Sequence, residues 1–199
     1  SVGRMVPFLL PGIGAIATQS LVNIGFGSMG LAMLSEGVSA PDVVDGLIAS
    51  DKERSRRQLA VVDANGNVGA YTGDGCIPFA GHYVGKNYSV QANMMTNDTV
   101  IPAMRDAFEG SNEDLAGRMM AALYAAQSQD GDIRGMQSAA LQIVANDRSL
   151  PSWSSLYNLR IDESVAPLDD LYRLVTFQRA QNISQEGYDL LDKGDVQGA

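Results

Sequence analysis

The chain has 199 residues, 45% hydrophobic and 19% charged, with 14 Lys and Arg against 23 Asp and Glu and a formal net charge of −9. That length fits one domain, or one domain with a small appendage, and buries roughly 70% of the unfolded surface without disulfides or a metal. The acidic balance excludes general phosphate-backbone binding, and a single cysteine, Cys76, with a single histidine, His82, excludes an internal disulfide and a structural Cys/His zinc site.

Ile13 to Ser20 is apolar on both faces for most of its length, as in a strand inside a sheet covered on both sides. A central strand needs a neighbour on each edge, and only a short segment carrying Pro7 and Pro11 precedes it. The chain is therefore expected to begin within its own fold, short of a first hairpin. Phe26 to Glu36 reads as a helix closed by Gly37. Ser39 opens a second helix, with Pro41 in its first turn and Val43, Val44, Leu47 and Ile48 along its buried stripe.

Gln58 to Asp63 and Val68 to Tyr71 are strands joined through Asn65-Gly66, a pair that accepts the positive φ of a tight hairpin turn. Cys76 to Tyr83 holds part of a strand and Tyr88 to Ala92 is a clear one. Helices follow at Thr99 to Glu109 and Glu113 to Gln127, then strands at Ser138 to Val144 and Leu156 to Ile161, then a helix at Leu168 to Leu191. Helix pairs that separate blocks of antiparallel strands do not suit a doubly wound parallel sheet and predict a layered α+β sandwich. Residues 1–162 are expected to form that sandwich, and 163–199 a C-terminal helical extension. No run of about 18 apolar residues is present, so no membrane span is expected.

Three stretches are more polar than a plain core needs. They are Thr72 to His82, Tyr88 to Met95, and Gly131 to Ala140. By period-two alternation Ser89, Gln91 and Asn93 share one strand face. Such a row is expensive to bury unless each group finds a partner, and it can also line a pocket. Asp132 and Arg134 form either a loop ion pair or a substrate clamp, and Gln137 and Ser138 serve either the loop backbone or a ligand. His82 is either structural or catalytic, with no triad partner apparent. Cys76 is either a small buried hydrophobe or a reactive thiol. Gly12-Ile13-Gly14 lacks the third glycine and the helix of a dinucleotide fingerprint, so neither that cofactor nor a metal is expected.

Arg57-Gln58-Leu59-Ala60-Val61-Val62-Asp63, Thr72-Gly73, Cys76-Ile77, Ala80-Gly81-His82, Tyr88 to Met94 and Gly131 to Leu141 together resemble the family called domain of unknown function 1028. Gly12 to Gln19 is similar to that family's early strand, and the resemblance runs from about Val2 to Ile161. It implies a four-layer αββα sandwich of the N-terminal-nucleophile hydrolase type, and hence amide-bond hydrolysis. In such enzymes a Thr, Ser or Cys at the mature N-terminus attacks the carbonyl, with its own α-amine as base. Relatives begin with two further strands, so Ser1 is the nucleophile only if none lies upstream. Some relatives carry a C-terminal segment described as peptidoglycan-binding, which Pro167 to Asp192 would match in a short form.

The expected activity is hydrolysis of a small amide or peptide-like substrate. Ser1, His82 and Asn93 are its catalytic candidates, and Thr18, Gln19, Gln91, Asp132, Arg134 and Gln137 its substrate-binding residues. Gln91 or Asn93 would stabilise the oxyanion, and the Arg134 fork would hold a carboxylate. The alternative is a non-catalytic ligand-binding or cell-wall-associated module on the same fold. A third reading is a homo-oligomer paired through an open sheet edge. The expected partner is the small-molecule ligand, with neither nucleic acid nor membrane, and the expected compartment is the cytoplasm.

Overall fold

The computed structural model of the chain describes residues 2–192 and 194. A four-stranded antiparallel sheet comprises β1 (Pro7–Leu10), β2 (Gly14–Ser20), β3 (Arg57–Asp63) and β4 (Val68–Thr72), side by side in that order. Gly66, at φ +83°, turns β3 into β4 and sets Val62 opposite Val68 and Gln58 opposite Thr72. By sequence alone Pro7–Leu10 does not read as a strand. It forms one because a proline at a strand's first residue gives up no necessary ladder donor, and because Phe8 and Leu10 reach an apolar core. β2 accordingly has β1 on one edge and β3 on the other, so the edge expected to be open is paired.

Alternation then divides the sheet into two unlike faces. Ile16, Leu59 and Val61 pack under α1 (Gly25–Ser35) and α2 (Ala40–Ala49) against Phe26, Leu34, Val43 and Leu47. Pro41 lies in the first turn of α2, where its missing N–H is an orphan position in any case. Ser39 is the N-cap residue of that helix, but its hydroxyl donates to Asp42 Oδ2 at 2.5 Å instead of accepting from a first-turn N–H. The opposite face is built of small and polar residues, among them Ala15, Ala17, Gln19, Gln58, Ala60 and Thr72.

That second face meets two antiparallel strand pairs, β5 (Gly81–Gly85) with β6 (Tyr88–Ala92) and β7 (Ala139–Ile143) with β8 (Tyr157–Ile161). Behind them lie α3 (Val100–Gly110), α4 (Leu115–Ser128) and α5 (Pro167–Asp192). Ala116, Met120, Leu141, Ile143, Tyr157, Leu171 and Val175 form the core on this side. Asp114 caps α4 by accepting from Gly117 N at 2.8 Å, and the Arg179 fork of α5 closes on the same carboxylate. The first half of α5 therefore shares the core of the preceding residues, since Leu171 and Val175 are wholly buried. Among the described residues no helix is long and apolar enough to cross a membrane. The chain is thus a mixed α+β protein with antiparallel sheets and five α-helices among its described residues.

Candidate functional site

Where the chain leaves β4 for β5, four polar side chains join into one hydrogen-bonded row. Asn93 Nδ2 donates to Gln58 Oε1 at 2.9 Å, which fixes the orientation of the Gln58 amide. Gln58 Nε2 then lies 3.0 Å from Thr72 Oγ1, 3.0 Å from the Gly81 carbonyl and 2.8 Å from the Ala92 carbonyl. Thr72 Oγ1 is 2.8 Å from His82 Nδ1. Gln58 Nε2 carries two hydrogens for these three acceptors, so either the Thr72 hydroxyl or the His82 ring supplies the hydrogen between Oγ1 and Nδ1. Burial pulls the His82 imidazole below its ordinary value, so the neutral form prevails near neutrality.

Gln58 is fully buried, whereas Thr72 and His82 reach a cleft of about 760 Å³ that Asp74, Cys76, Phe79 and Asn97 help to line. On the other side, Gln19 and Gln91 line a second cleft of about 710 Å³ between the two sheets. Gln91 stands opposite His82 in the β5–β6 ladder and donates from Nε2 to the Ala17 carbonyl at 3.2 Å. Its Oε1 is buried with no hydrogen-bond partner. The row from Asn93 to His82 and the Gln91 amide thus form a polar partition between two clefts. The His82 imidazole borders one cleft, and Gln91 Oε1, unpartnered among the described residues, lies beside the other.

His82, Gln91, Asn93 and Gln19 are therefore brought to this partition. Asn93 lies one residue past the end of β6, just before Met94 at φ +59°, and like Gln91 it bonds to the four-stranded sheet. Ser1 lies outside the described residues; the Val2 amide next to it donates to Ser138 Oγ at 3.4 Å, just before β7. Thr18 sits on the other face of β2, with Ile16, towards the helices. Its hydroxyl is wholly buried and unpartnered there.

The Asp132 loop docks on residues 94–97 through the Ile133 N to Met94 carbonyl bond and the Thr96 N to Gly131 carbonyl bond. Within it, Arg134 Nε and Nη2 close on Asp132 at 2.9 and 2.5 Å, and the Arg134 bond holds that carboxyl below its usual range. The guanidinium fork is thus engaged by its own neighbour. Gln137 donates to Glu163 Oε2 at 2.8 Å. Asp132, Arg134 and Gln137 line neither cleft. Cys76 lines the first cleft but is buried, its thiol aimed at the Arg57 carbonyl at 3.3 Å.

Gln58 and Thr72 were not among the sequence candidates. Their signal is the hairpin register, since counting back from Asn65-Gly66 sets the two opposite each other on the face shared with Ala60.

Comparison with known proteins adds a family and a solved relative. The model of a family described as a family of unknown function (DUF1028) matches residues 1–171. A crystal structure of a DUF1028 protein from Silicibacter pomeroyi matches with a TM-score of 0.79 and 30% sequence identity, over 88% of this chain and 74% of that one. No curated protein matches the chain.

Proposed function

Since the chain belongs to the DUF1028 family of unknown function, its chemistry has to come from its own site, and we propose that it hydrolyses a small amide or peptide-like substrate. The observation that carries this is the Asn93–Gln58–Thr72–His82 row, which fixes an imidazole, held below its ordinary value by burial, at the wall of an open cleft. A neutral imidazole can donate to an amide carbonyl, whose oxygen gains charge as the carbon is attacked. The succession of helix pair, sheet, strand pairs and helices supports a finer assignment to the αββα sandwich of N-terminal-nucleophile hydrolases.

On that fold the nucleophile is a hydroxyl residue at a mature N-terminus. Its oxygen attacks the carbonyl carbon, its proton passes to the α-amine and then to the leaving amine as the C–N bond breaks, and water hydrolyses the resulting ester. His82 would steady the oxyanion of a substrate lying in the first cleft, and Asn93 and Gln58 would hold His82 and Thr72.

The test is turnover of an amide library by the wild-type protein, by His82→Ala, and by a variant lacking the N-terminal hydroxyl. Loss of roughly a hundredfold in the hydroxyl variant is expected, with a smaller loss in His82→Ala. Equal activity in all three would overturn the proposal. Binding without turnover in the wild type would favour the non-catalytic module.

A further inference from the structure

His82 lines the first cleft, and its hydrogen-bond partner is the Thr72 hydroxyl, 2.8 Å from Nδ1. Among the described residues, neither carboxylate on the same wall, Asp74 or Asp98, bonds to the ring, and the Cys76 thiol is aimed at the Arg57 carbonyl. A carboxylate or a carbonyl at Nδ1 would pin the ring proton on that nitrogen, because such groups only accept. A hydroxyl has one hydrogen to give and two lone pairs with which to accept, so it serves either form of the ring.

The Thr72 oxygen is held in place while its hydrogen can turn. Thr72 faces Gln58 across the β3–β4 ladder, with Gln58 Nε2 3.0 Å from Oγ1. Gln58 is wholly buried and is oriented by Asn93 at 2.9 Å. In one arrangement the hydroxyl donates to Nδ1, and the ring proton lies on Nε2. In the other, Nδ1–H donates to Oγ1, the threonine hydrogen turns to the cleft that Thr72 also lines, and Nε2 carries a lone pair. The ring passes between them by gaining a proton from water at one nitrogen and losing one to water at the other.

We propose that Thr72 is the positioning residue that lets His82 work in both forms, as an N–H donor at one stage of turnover and as a base at another. This deepens the amide-hydrolase proposal and rests on it for the reaction. In the donor form, Nε2–H supports the oxygen of the attacked amide carbonyl. In the acceptor form, Nε2 takes a proton from the water whose oxygen bonds to the ester carbon, and the resulting imidazolium keeps its Nδ1–H on Thr72 Oγ1. As the ester C–O bond breaks, that proton passes from Nε2 to the departing oxygen of the nucleophile, and the ring is neutral again.

Long-range proton–nitrogen NMR on the full chain with isotope-labelled histidine tests it, because the sole ring gives one pattern and N–H and lone-pair nitrogens resonate far apart. At about pH 8, where the ring is neutral, both nitrogens of the wild type should lie between those limits, with at least about a tenth of each tautomer. Thr72→Val removes the hydroxyl at nearly the same shape, so the pattern should collapse to one tautomer, and Thr72→Ser should restore the mixture. Amide turnover should fall about tenfold in Thr72→Val and recover in Thr72→Ser. A single tautomer in the wild type overturns the proposal without any variant, so the outcome does not hang on whether Thr72→Val folds. An unchanged mixture in Thr72→Val, or measurable turnover equal to that of the wild type, would overturn it too. A mixture that collapses in Thr72→Val, in a protein that cleaves no amide, upholds the two-way partner and overturns the hydrolase alone.

Discussion

Gln58 combines full burial with a complete set of partners, and the partners span three segments of the chain: Thr72, the Gly81 and Ala92 carbonyls, and Asn93. Gln58→Leu keeps the volume but strands two buried carbonyls and the Asn93 amide, so it should cost roughly 2–3 kcal/mol in urea unfolding. Thr18 is the opposite case, a buried hydroxyl with no partner under the helices. Thr18→Val should therefore raise stability by about 1 kcal/mol and leave any turnover unchanged, whereas a large loss of turnover would place Thr18 in the site after all. His82 supplies a third test because it is the sole histidine and its NMR titration is unambiguous. Burial holds the folded imidazole below the ordinary value of about 6.5, so as pH falls the unfolded chain takes up its proton first. Stability tied to His82 is thus complete above that value and declines as pH drops from there towards the lower folded value. A midpoint at or above 6.5, or an unchanged pH slope in His82→Gln, would contradict this.

At the scale of elements, close approach decides the sheet-to-helix spacing. A Cβ on Gly69 in β4 would lie 2.6 Å from the Ala40 carbonyl oxygen and 2.8 Å from Pro41 Cα, both backbone atoms at the start of α2. Gly69→Ala must push the helix away and should cost about 1–3 kcal/mol, while Gly46→Ala in the same helix should gain about 0.5–1 kcal/mol. There the added methyl meets only the end of the flexible Met33 side chain, at 3.1 Å. Thermal melts of the pair should shift in opposite directions. The same contrast between local and tertiary causes separates what was legible beforehand from what was not. Asn65-Gly66, Pro41 and the apolar spacing of α5 act within a few residues, so their elements could be placed from sequence. β2 is apolar on both faces, so nothing in its sequence tells which face carries Thr18 and which carries Gln19. That parity comes from pairing with β3, where Thr18 stands opposite Leu59 and Gln19 opposite Gln58. Likewise, no spacing rule brings His82 back to Thr72, because the intervening loop is ordered by contacts such as Gly75 N to the Ser55 carbonyl.

For the molecule as a whole, the decisive question is where the cooperative unit ends. Composition suggested a sandwich through residue 162 and a helical extension beyond it, and the family match stops at residue 171, inside α5. Two observations place the physical boundary further along. Leu171 and Val175 are fully buried against α4 and β7, and the Arg179 fork on Asp114 ties α5 to the cap of α4. After Asn182, which donates to the Leu156 carbonyl at 3.3 Å, the side-chain bond found is Gln185 to Asp189 within the helix itself. Ending the chain after Ile183 should thus cost less than about 0.5 kcal/mol, since the described residues it removes are exposed or half-buried and none is buried. Ending it after Ala166 uncovers the Leu141 and Met120 side of the core and should cost more than about 4 kcal/mol. Paired urea curves decide the matter: if both truncations unfold at the midpoint of the full chain, α5 is an appendage. If only the chain ending after Ile183 does, the helix through Arg179 is part of the wall that holds β7.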